Sequence, residues 1–252
     1  MPLILICNDD GVTAPGINAL IEAVQELGDI FVVAPDKPQS GSGHAITIDA
    51  TLRTSLVRKE PGLEIYSCTG TPVDCIKLAV NIILPRKPDI IISGINHGAN
   101  SSINVIYSGT MSAAIEGSLE NIPSAGFSLL DHSIDADFSA SRKYARIIVQ
   151  QILEHGLPNG VCLNVNIPRL RTSEIMGIRV CRQAKAVWKE EFDTRKDPAG
   201  KEYYWMGGQF INLDEGEDAD VNALKKGYVS VVPTQSDLTA YDALDELKSW
   251  EQ

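Results

Sequence analysis

The chain has 252 residues, of which 44% are hydrophobic and 22% charged, an ordinary globular composition with room for one large α/β domain or two small ones. Acidic residues outnumber basic ones by 33 to 22, giving a net charge of -11, so long nucleic acid and anionic membranes are poor partners. A small phosphate compound remains a possible ligand, provided that a bound cation locally reverses the unfavourable electrostatic field of the acidic protein.

The first seven residues are apolar for only a few positions and carry no basic leader, which predicts a strand instead of a targeting sequence. No apolar run approaches the roughly 18 residues of a membrane span. The five cysteines include no CxxC pair, which indicates free buried thiols in a reducing compartment. We therefore expect a cytoplasmic protein without a membrane segment.

Apolar runs of strand length alternate with segments of helical periodicity through residue 168. The predicted strands are 3–7, 30–34, 65–68, 90–93, 125–129 and 161–165, and the predicted helices between them are 16–27, 72–84, 112–119 and 139–153. This alternation predicts an α/β fold with a Rossmann-like, doubly wound parallel sheet and helices on both faces. Ligands of such sheets bind beyond the carboxyl ends of the strands.

Beyond residue 168 the pattern changes and predicts a β-rich extension with hairpins. The segments are strands at 175–181 and 228–232, an aperiodic stretch rich in charge, glycine and aromatics at 193–208, an acidic solvated loop at 214–220 and a short helix at 242–250. We treat the whole chain as a single domain with an α/β catalytic core at 1–168. The extension, 169–252, is expected to serve self-association.

Two adjacent carboxylates, Asp9 and Asp10, follow the first predicted strand. They would repel each other unless a cation or a proton lay between them. A lone Asp at this place more often caps the next helix or is solvated. An adjacent pair at the rim of the predicted crevice instead suits Mg²⁺ or Mn²⁺, which prefer oxygen ligands. Asp9 and Asp10 are therefore the candidate metal ligands and candidate catalytic residues.

A Gly/Ser loop follows the second predicted strand and contains Ser40, Gly41 and Ser42. Its backbone amides and hydroxyls can approach a ligand closely, although flexible surface loops have the same composition. His44, in the same loop, is a possible proton donor, but a single loop histidine is more often incidental.

Two later polar groups fall on the same edge of the predicted sheet. Asn96 follows the strand at 90–93, and its amide oxygen would complete a cation site without adding charge, although asparagine there, like Asn100, is also typical of turns. Ser108, Gly109 and Thr110 open a helix of small residues. Such an N-terminus can bind a phosphate, and Ser108 or Thr110 can equally be a simple N-cap.

In this order and spacing, the motifs resemble the survival protein SurE family. They are NDDG at 8–11, the Ser-Gly loop, GTPVDC at 70–75, SGIN at 93–96 followed by GAN at 98–100, and YSGT at 107–110. The resemblance is close over about residues 1–130 and loose after Arg169. Each motif is weak alone, but their ordered combination is specific.

The resemblance implies a divalent-metal-dependent phosphomonoesterase acting on nucleoside 5'-monophosphates and often 3'-monophosphates. It implies one Mg²⁺ or Mn²⁺ per subunit, held at Asp9, Asp10, Ser40 and Asn96, and a homodimer or homotetramer with exchanged C-terminal elements. This sequence departs at one position. Where the resemblance leads us to expect an acidic residue shortly before YSGT, the chain has Asn104, which can alter loop charge or substrate preference.

The resulting hypothesis is metal-assisted hydrolysis, with the phosphate held by Asn100, Ser108, Gly109 and Thr110. The alternative from another class is a phosphorylation-controlled, receiver-like binding module, which also places an acidic pair after its first strand. Such a module needs a phosphoacceptor aspartate after a later central strand, where this chain has Ser93. A dehydrogenase is disfavoured because no GxGxxG follows the first strand.

Overall fold

The computed structural model describes residues 1–133 and 135–251. Its strands are β1 (Leu3–Cys7), β2 (Asp29–Pro35), β3 (Thr54–Glu60), β4 (Leu63–Cys68), β5 (Ile90–His97), β6 (Ser124–Leu129), β7 (Val161–Ile167), β8 (Ile178–Val180), β9 (Ala186–Lys196), β10 (Glu202–Asn212) and β11 (Val229–Gln235). Its α-helices are α1 (Pro15–Val24), α2 (Pro72–Leu78), α3 (Gly109–Leu119), α4 (Ser139–His155), α5 (Asp220–Lys225) and α6 (Leu244–Leu247).

Nine strands form one sheet in the order β3-β4-β2-β1-β5-β6-β7-β11-β8. The six consecutive strands from β4 to β7 in this order run parallel. Strand β3 is antiparallel to β4 at one edge, and β11 is antiparallel to β7 near the other. The predicted α/β class is confirmed. Because β8 and β11 belong to the predicted extension, part of that extension completes the main sheet.

The side chains of β1 explain why the sheet is covered on both faces. Ile4 and Ile6 pack in one apolar cluster, which includes residues of α1 and α4, while Leu5 and Cys7 pack in another, which includes residues of α2 and α3. All four side chains are fully buried. A strand with two buried faces reads as a continuous apolar run, which is what the sequence shows at these positions.

Several boundaries differ from the predicted ones for local reasons. Helix α3 begins three residues earlier than predicted because the side chain of Ser108 accepts a hydrogen bond from the Met111 amide and caps it. Helix α2 ends at Leu78 and continues as a π-helical turn over Ala79–Ile83. The predicted helix at 242–250 is broken, since 3₁₀ turns flank the four-residue α6.

Strand β3 was not predicted, because every one of its side chains is exposed and no apolar alternation marks it. Strands β9 and β10 form a separate two-stranded antiparallel sheet, in which Ala186 pairs with Asn212 at one end and Lys196 pairs with Glu202 at the other. This hairpin confirms the β-rich character expected of the C-terminal region. All five cysteines are free and buried, as expected. None of the helices in the described parts of the chain is long and apolar enough to cross a membrane.

The interpretation of residues 214–220 as a solvated loop was wrong for Asp220, which is fully buried. Its Oδ2 accepts a hydrogen bond from the Ser102 amide at 2.8 Å. Its Oδ1 accepts from the amides of Ala184 and Val221 at 3.0 and 2.7 Å. One carboxylate thus joins the loop after β5 to the C-terminal region, and its negative charge is compensated by three backbone donors.

We predict that Asp220→Ala destabilises the protein by about 3 kcal/mol or more, because it leaves three buried N–H groups without an acceptor. Asp218→Ala is the matched control, since its side chain is 68% exposed in an ion pair with Arg182. We expect that variant to lose at most about 1 kcal/mol. Urea unfolding followed by circular dichroism measures both, and equal losses would contradict the assignment.

Candidate active site

A cavity of about 1210 Å³ lies beyond the carboxyl ends of β1, β2 and β5, where α3 begins. Its volume exceeds the roughly 300–1,000 Å³ typical of small-molecule sites. Of the ten residues predicted from the sequence to form the site, seven line it: Asp9, Asp10, Ser40, Gly41, Asn96, Asn100 and Ser108. The other three lie next to lining residues in the chain: Ser42 follows Gly41, and Gly109 and Thr110 follow Ser108.

The turn after β1 is held in shape by Asn8, which the sequence reasoning did not single out. Its buried side chain donates from Nδ2 to the Gly11 carbonyl at 2.9 Å and accepts from the Gly11 amide at 3.2 Å. Gly11 has φ +100°, a conformation that favours glycine. The carbonyl of Asp9 accepts from the Gln39 amide at 2.8 Å. These bonds fix the two carboxylates relative to the Ser-Gly loop.

Asp9 is 4% exposed, and its Oδ1 accepts a hydrogen bond from the Thr110 hydroxyl at 2.6 Å. Burial raises the pKa of Asp9 to about 6; the bond from Thr110 opposes this rise and the charge of Asp10 adds to it. A Cβ at Gly109 would lie 2.7 Å from the Cβ of Asp9. Only glycine therefore lets the N-terminus of α3 come this close to the carboxylate.

The Oδ2 atom of Asp10 is buried and has no hydrogen-bond partner among the described residues. Burial raises the pKa of Asp10, while a hydrogen bond with the His97 backbone opposes the shift. A buried carboxylate oxygen without a donor is unfavourable unless a positive charge compensates it. This oxygen is therefore a candidate ligand atom for a cation.

The remaining donor atoms are neutral oxygens. Asn96 uses its Nδ2 to donate to the carbonyls of His97 and Gly98, at 3.2 and 2.9 Å, so its Oδ1 is the atom left for a ligand. Ser40 is exposed at the cavity wall. Within residues 1–133 and 135–251 no cluster of three or more His, Cys, Asp or Glu side chains suits a metal. Two carboxylates with a hydroxyl and an amide form an oxygen set that fits Mg²⁺ or Mn²⁺.

Ser108 caps α3, which is one of the two alternatives left open for it, and it also lines the cavity. The hydroxyl of Thr110 instead donates to Asp9. Asn100 donates from Nδ2 to the Ser128 hydroxyl at 2.8 Å, and its backbone is bound by the side chains of Asn164 and Asn166. Thr110 and Asn100 therefore hold the frame of the site through these bonds.

The Ser-Gly loop is tied to α3 by His44, which was interpreted as incidental. Its Nε2 lies 2.9 Å from Oε2 of Glu116, a buried residue that also binds Lys77. Although burial acts to raise it, the pKa of Glu116 is held below its usual value by the hydrogen bonds from His44 and Lys77. His44 therefore anchors the loop that carries Ser40. Its partner lies 72 positions away, so the sequence alone gave no signal of the contact.

The sequence model of the survival protein SurE family matches residues 4–190. The chain belongs to this family. A protein of Christiangramia forsetii named 5'-nucleotidase SurE is 60% identical, covering 99% of this chain and 96% of its own length. A protein of the same name from Flavobacterium psychrophilum is 56% identical, covering 99% and 98%. The crystal structure of the SurE protein from Aquifex aeolicus superposes with a TM-score of 0.86 at 41% identity over the full length of both chains.

The resemblance read from the motifs is thus confirmed, and the receiver-like alternative loses its basis. At the place where a receiver needs a phosphoacceptor aspartate, directly after Ile92, the structure has the fully buried Ser93.

We predict that Asp9→Asn stabilises the metal-free protein in a pH-dependent way. The folded-state pKa of Asp9 is raised from 3.8 to about 6, so wild-type stability falls as the pH rises through this window and stays reduced above it. Two units correspond to an upper limit of about 3 kcal/mol. The variant lacks this loss, so its stability relative to wild type should increase between pH 4 and pH 6 and then level off.

Urea unfolding with a chelator at pH 4.5 and pH 7.5 measures the effect. Asp89→Asn is a control of opposite sign, because Arg86 donates to Asp89 and lowers its pKa. That variant should be less stable than wild type by nearly the same amount at pH 4.5 and pH 7.5, because the lowered pKa of Asp89 lies below both values. An Asp9→Asn difference that is the same at both pH values would contradict the burial of an ionisable Asp9.

Proposed function

We propose that the protein is a divalent-metal-dependent phosphomonoesterase, a 5'-nucleotidase that hydrolyses nucleoside 5'-monophosphates, and also 3'-monophosphates, to nucleoside and phosphate. The observation that carries the proposal is the pair of adjacent carboxylates, Asp9 and Asp10, at the same cavity as the N-terminus of α3. The relatives named 5'-nucleotidase SurE support the same substrate class. We place the enzyme in the cytoplasm, where its five free thiols stay reduced.

The cation is one Mg²⁺ or Mn²⁺ per subunit, held by Asp9, Asp10, Ser40 and Asn96. When bound, it supplies a Lewis acid that withdraws charge from the phosphoryl group. The chain needs this charge for binding as well as for chemistry, because its net charge of -11 and the two carboxylates repel a phosphate dianion.

The protein groups bind the phosphate and orient the attacking water. The amides at the N-terminus of α3, together with Ser108, donate to the phosphoryl oxygens and stabilise the charge that develops on them. Gly41 and Ser42 add the backbone amides of the Ser-Gly loop. Asp10 is the second carboxylate of the site, and we assign it the role of orienting the water and accepting its proton. Asp9 is fixed by Thr110 and serves mainly as a ligand.

We predict that Asp10→Asn lowers kcat for phosphate release from nucleoside 5'-monophosphates by about a hundredfold or more, the usual contribution of a positioned acid or base. Chelator should abolish wild-type turnover, and Mn²⁺ or Mg²⁺ should restore it. Asp89→Asn, at the amino end of β5 and thus at the opposite edge of the sheet, is the control and should keep full activity. Undiminished wild-type activity in excess chelator would refute the metal dependence.

We further propose that the chain forms a homodimer or homotetramer through its C-terminal region. The β9–β10 hairpin is a two-stranded sheet of its own, and such a sheet is marginally stable in water unless another surface covers it. It exposes large apolar side chains on both faces: the cross-strand partners Phe192 and Met206 are 63% and 73% exposed on one face, and Trp205 is 63% exposed on the other. Exposed apolar side chains grouped in this way typically mark a protein interface, and a second copy of the chain is the proposed cover.

We predict that Phe192→Asp combined with Trp205→Asp converts the oligomer to a monomer, because buried unpaired carboxylates oppose association. Light scattering after size-exclusion chromatography measures the mass. Leu238→Asp is the control, since this residue is 93% exposed outside the hairpin. A wild-type protein that is monomeric at high concentration would refute the proposal.

A further inference from the structure

The cavity has a second wall, far from the carboxylates in sequence and opposite in chemistry. Trp188 from β9 and Phe210 from β10 line it together with Met206 and Leu224. These side chains are apolar and come from the C-terminal region, whereas the residues predicted to bind metal and phosphate all come from the first 110 positions. A ligand that fills the cavity therefore meets both the oxygen atoms and an aromatic surface.

The aromatic wall is held in a fixed geometry. Trp188 and Phe210 are direct cross-strand partners, and their rings lie edge to face with centroids 5.7 Å apart. The indole Nε1 of Trp188 donates to Oδ1 of Asn104 at 2.8 Å. Asn104 in turn donates from Nδ2 to the carbonyl of Ala99. Because Phe210 and Asn104 already hold the indole in place, it loses little conformational freedom when a flat ligand stacks on it.

Asn104 also connects the two ends of the cavity. It lies in the 3₁₀ turn Ser102–Tyr107, which leads directly into Ser108 at the start of α3. Four residues of 3₁₀ rise separate Asn104 from Ser108 by about 8 Å. This separation is comparable to the span of a ribose between a phosphate and a base.

We propose that Trp188, oriented by Asn104 and Phe210, is the stacking platform for the base of the nucleoside monophosphate. The inference rests on the proposed function and adds where the base binds. An aromatic ring stacks on the flat face of any base, so the wall selects nucleotides over simple sugar phosphates without reading the base identity. A purine overlaps the indole over a larger area than a pyrimidine and benefits more.

The kinetic test compares a substrate that has a base with one that lacks it. In Trp188→Ala, KM for adenosine 5'-monophosphate should rise about tenfold or more, as expected when base stacking is lost. KM for ribose 5-phosphate should stay unchanged, because this compound has no base to stack on the indole. Both kcat values should also stay unchanged, because the lost contact stabilises the ground state and the transition state equally. Trp188→Phe keeps a flat ring and should retain most of the preference. Trp250→Ala, at an exposed C-terminal position outside the cavity, is the matched control.

Asn104 acts through Trp188 and is a positioning residue, so its variants need a readout that separates the two effects. The ratio of KM for ribose 5-phosphate to KM for adenosine 5'-monophosphate serves this purpose. Asn104→Ala removes the acceptor of the indole N–H and should lower the ratio. Asn104→Asp keeps an acceptor and should preserve the ratio, while its added negative charge raises both KM values.

A binding measurement does not depend on turnover. The chain has three tryptophans, so Trp205→Phe with Trp250→Phe leaves Trp188 as the single indole reporter. In chelator, adenosine should quench its fluorescence and ribose should not, since neither compound carries a phosphate for the acidic site to repel. An equal response to adenosine and ribose, or wild-type KM values in Trp188→Ala, overturns the inference. If wild type with metal releases phosphate from neither adenosine 5'-monophosphate nor ribose 5-phosphate, the proposed function fails, and the fluorescence response still decides the role of Trp188.

Discussion

The site depends on a buried pair of like charges at the end of β1. Asp9 is almost inaccessible to solvent, and Asp10, the next residue, has a buried oxygen without a donor in the described chain. Ionising both groups without a compensating cation is unfavourable, because the low-dielectric surroundings strengthen their repulsion and remove their hydration. In the proposed function, a bound cation offsets this penalty. Function and stability therefore oppose each other at these two positions.

Much of the local structure around the pair keeps it in place. Asn8 closes the turn that presents both carboxylates, and Gly109 lets α3 approach Asp9 more closely than any other residue would. Thr110 directs one oxygen of Asp9 toward the helix. Glu116, two turns further along α3, holds the Ser-Gly loop through His44. Helix α3 thus fixes both the first strand end and the loop after the second, so a small rotation of this helix would move Asp9 and the loop of Ser40 together.

The parts that the sequence could predict are those with a local signal. The continuous apolar run of β1 predicted a buried strand. The polar residues that follow successive strands were predicted to lie together at one edge of a parallel sheet. The contacts of Asp9 with Thr110, His44 with Glu116, and Asn104 with Trp188 join residues 101, 72 and 84 positions apart. Periodicity and motif spacing contain no information about such pairs, because tertiary packing alone brings them together. The sequence reasoning missed β3 for another reason. An exposed edge strand has no buried face, so no apolar alternation marks it.

The C-terminal region has more than one role in this arrangement. Strand β11 pairs with β7 and completes the sheet, Asp220 binds the loop that follows β5, and β9 supplies the indole at the cavity wall. The core at 1–168 contains the candidate cation ligands, yet without the later residues its cavity has no aromatic wall and Ser102 loses the acceptor of its buried amide. In the proposed function, cation binding and base binding are thus divided between two parts of the chain. The loop from Ala99 to Ser108 touches both parts, so in that proposal the position of this loop sets the distance between the phosphate and the base.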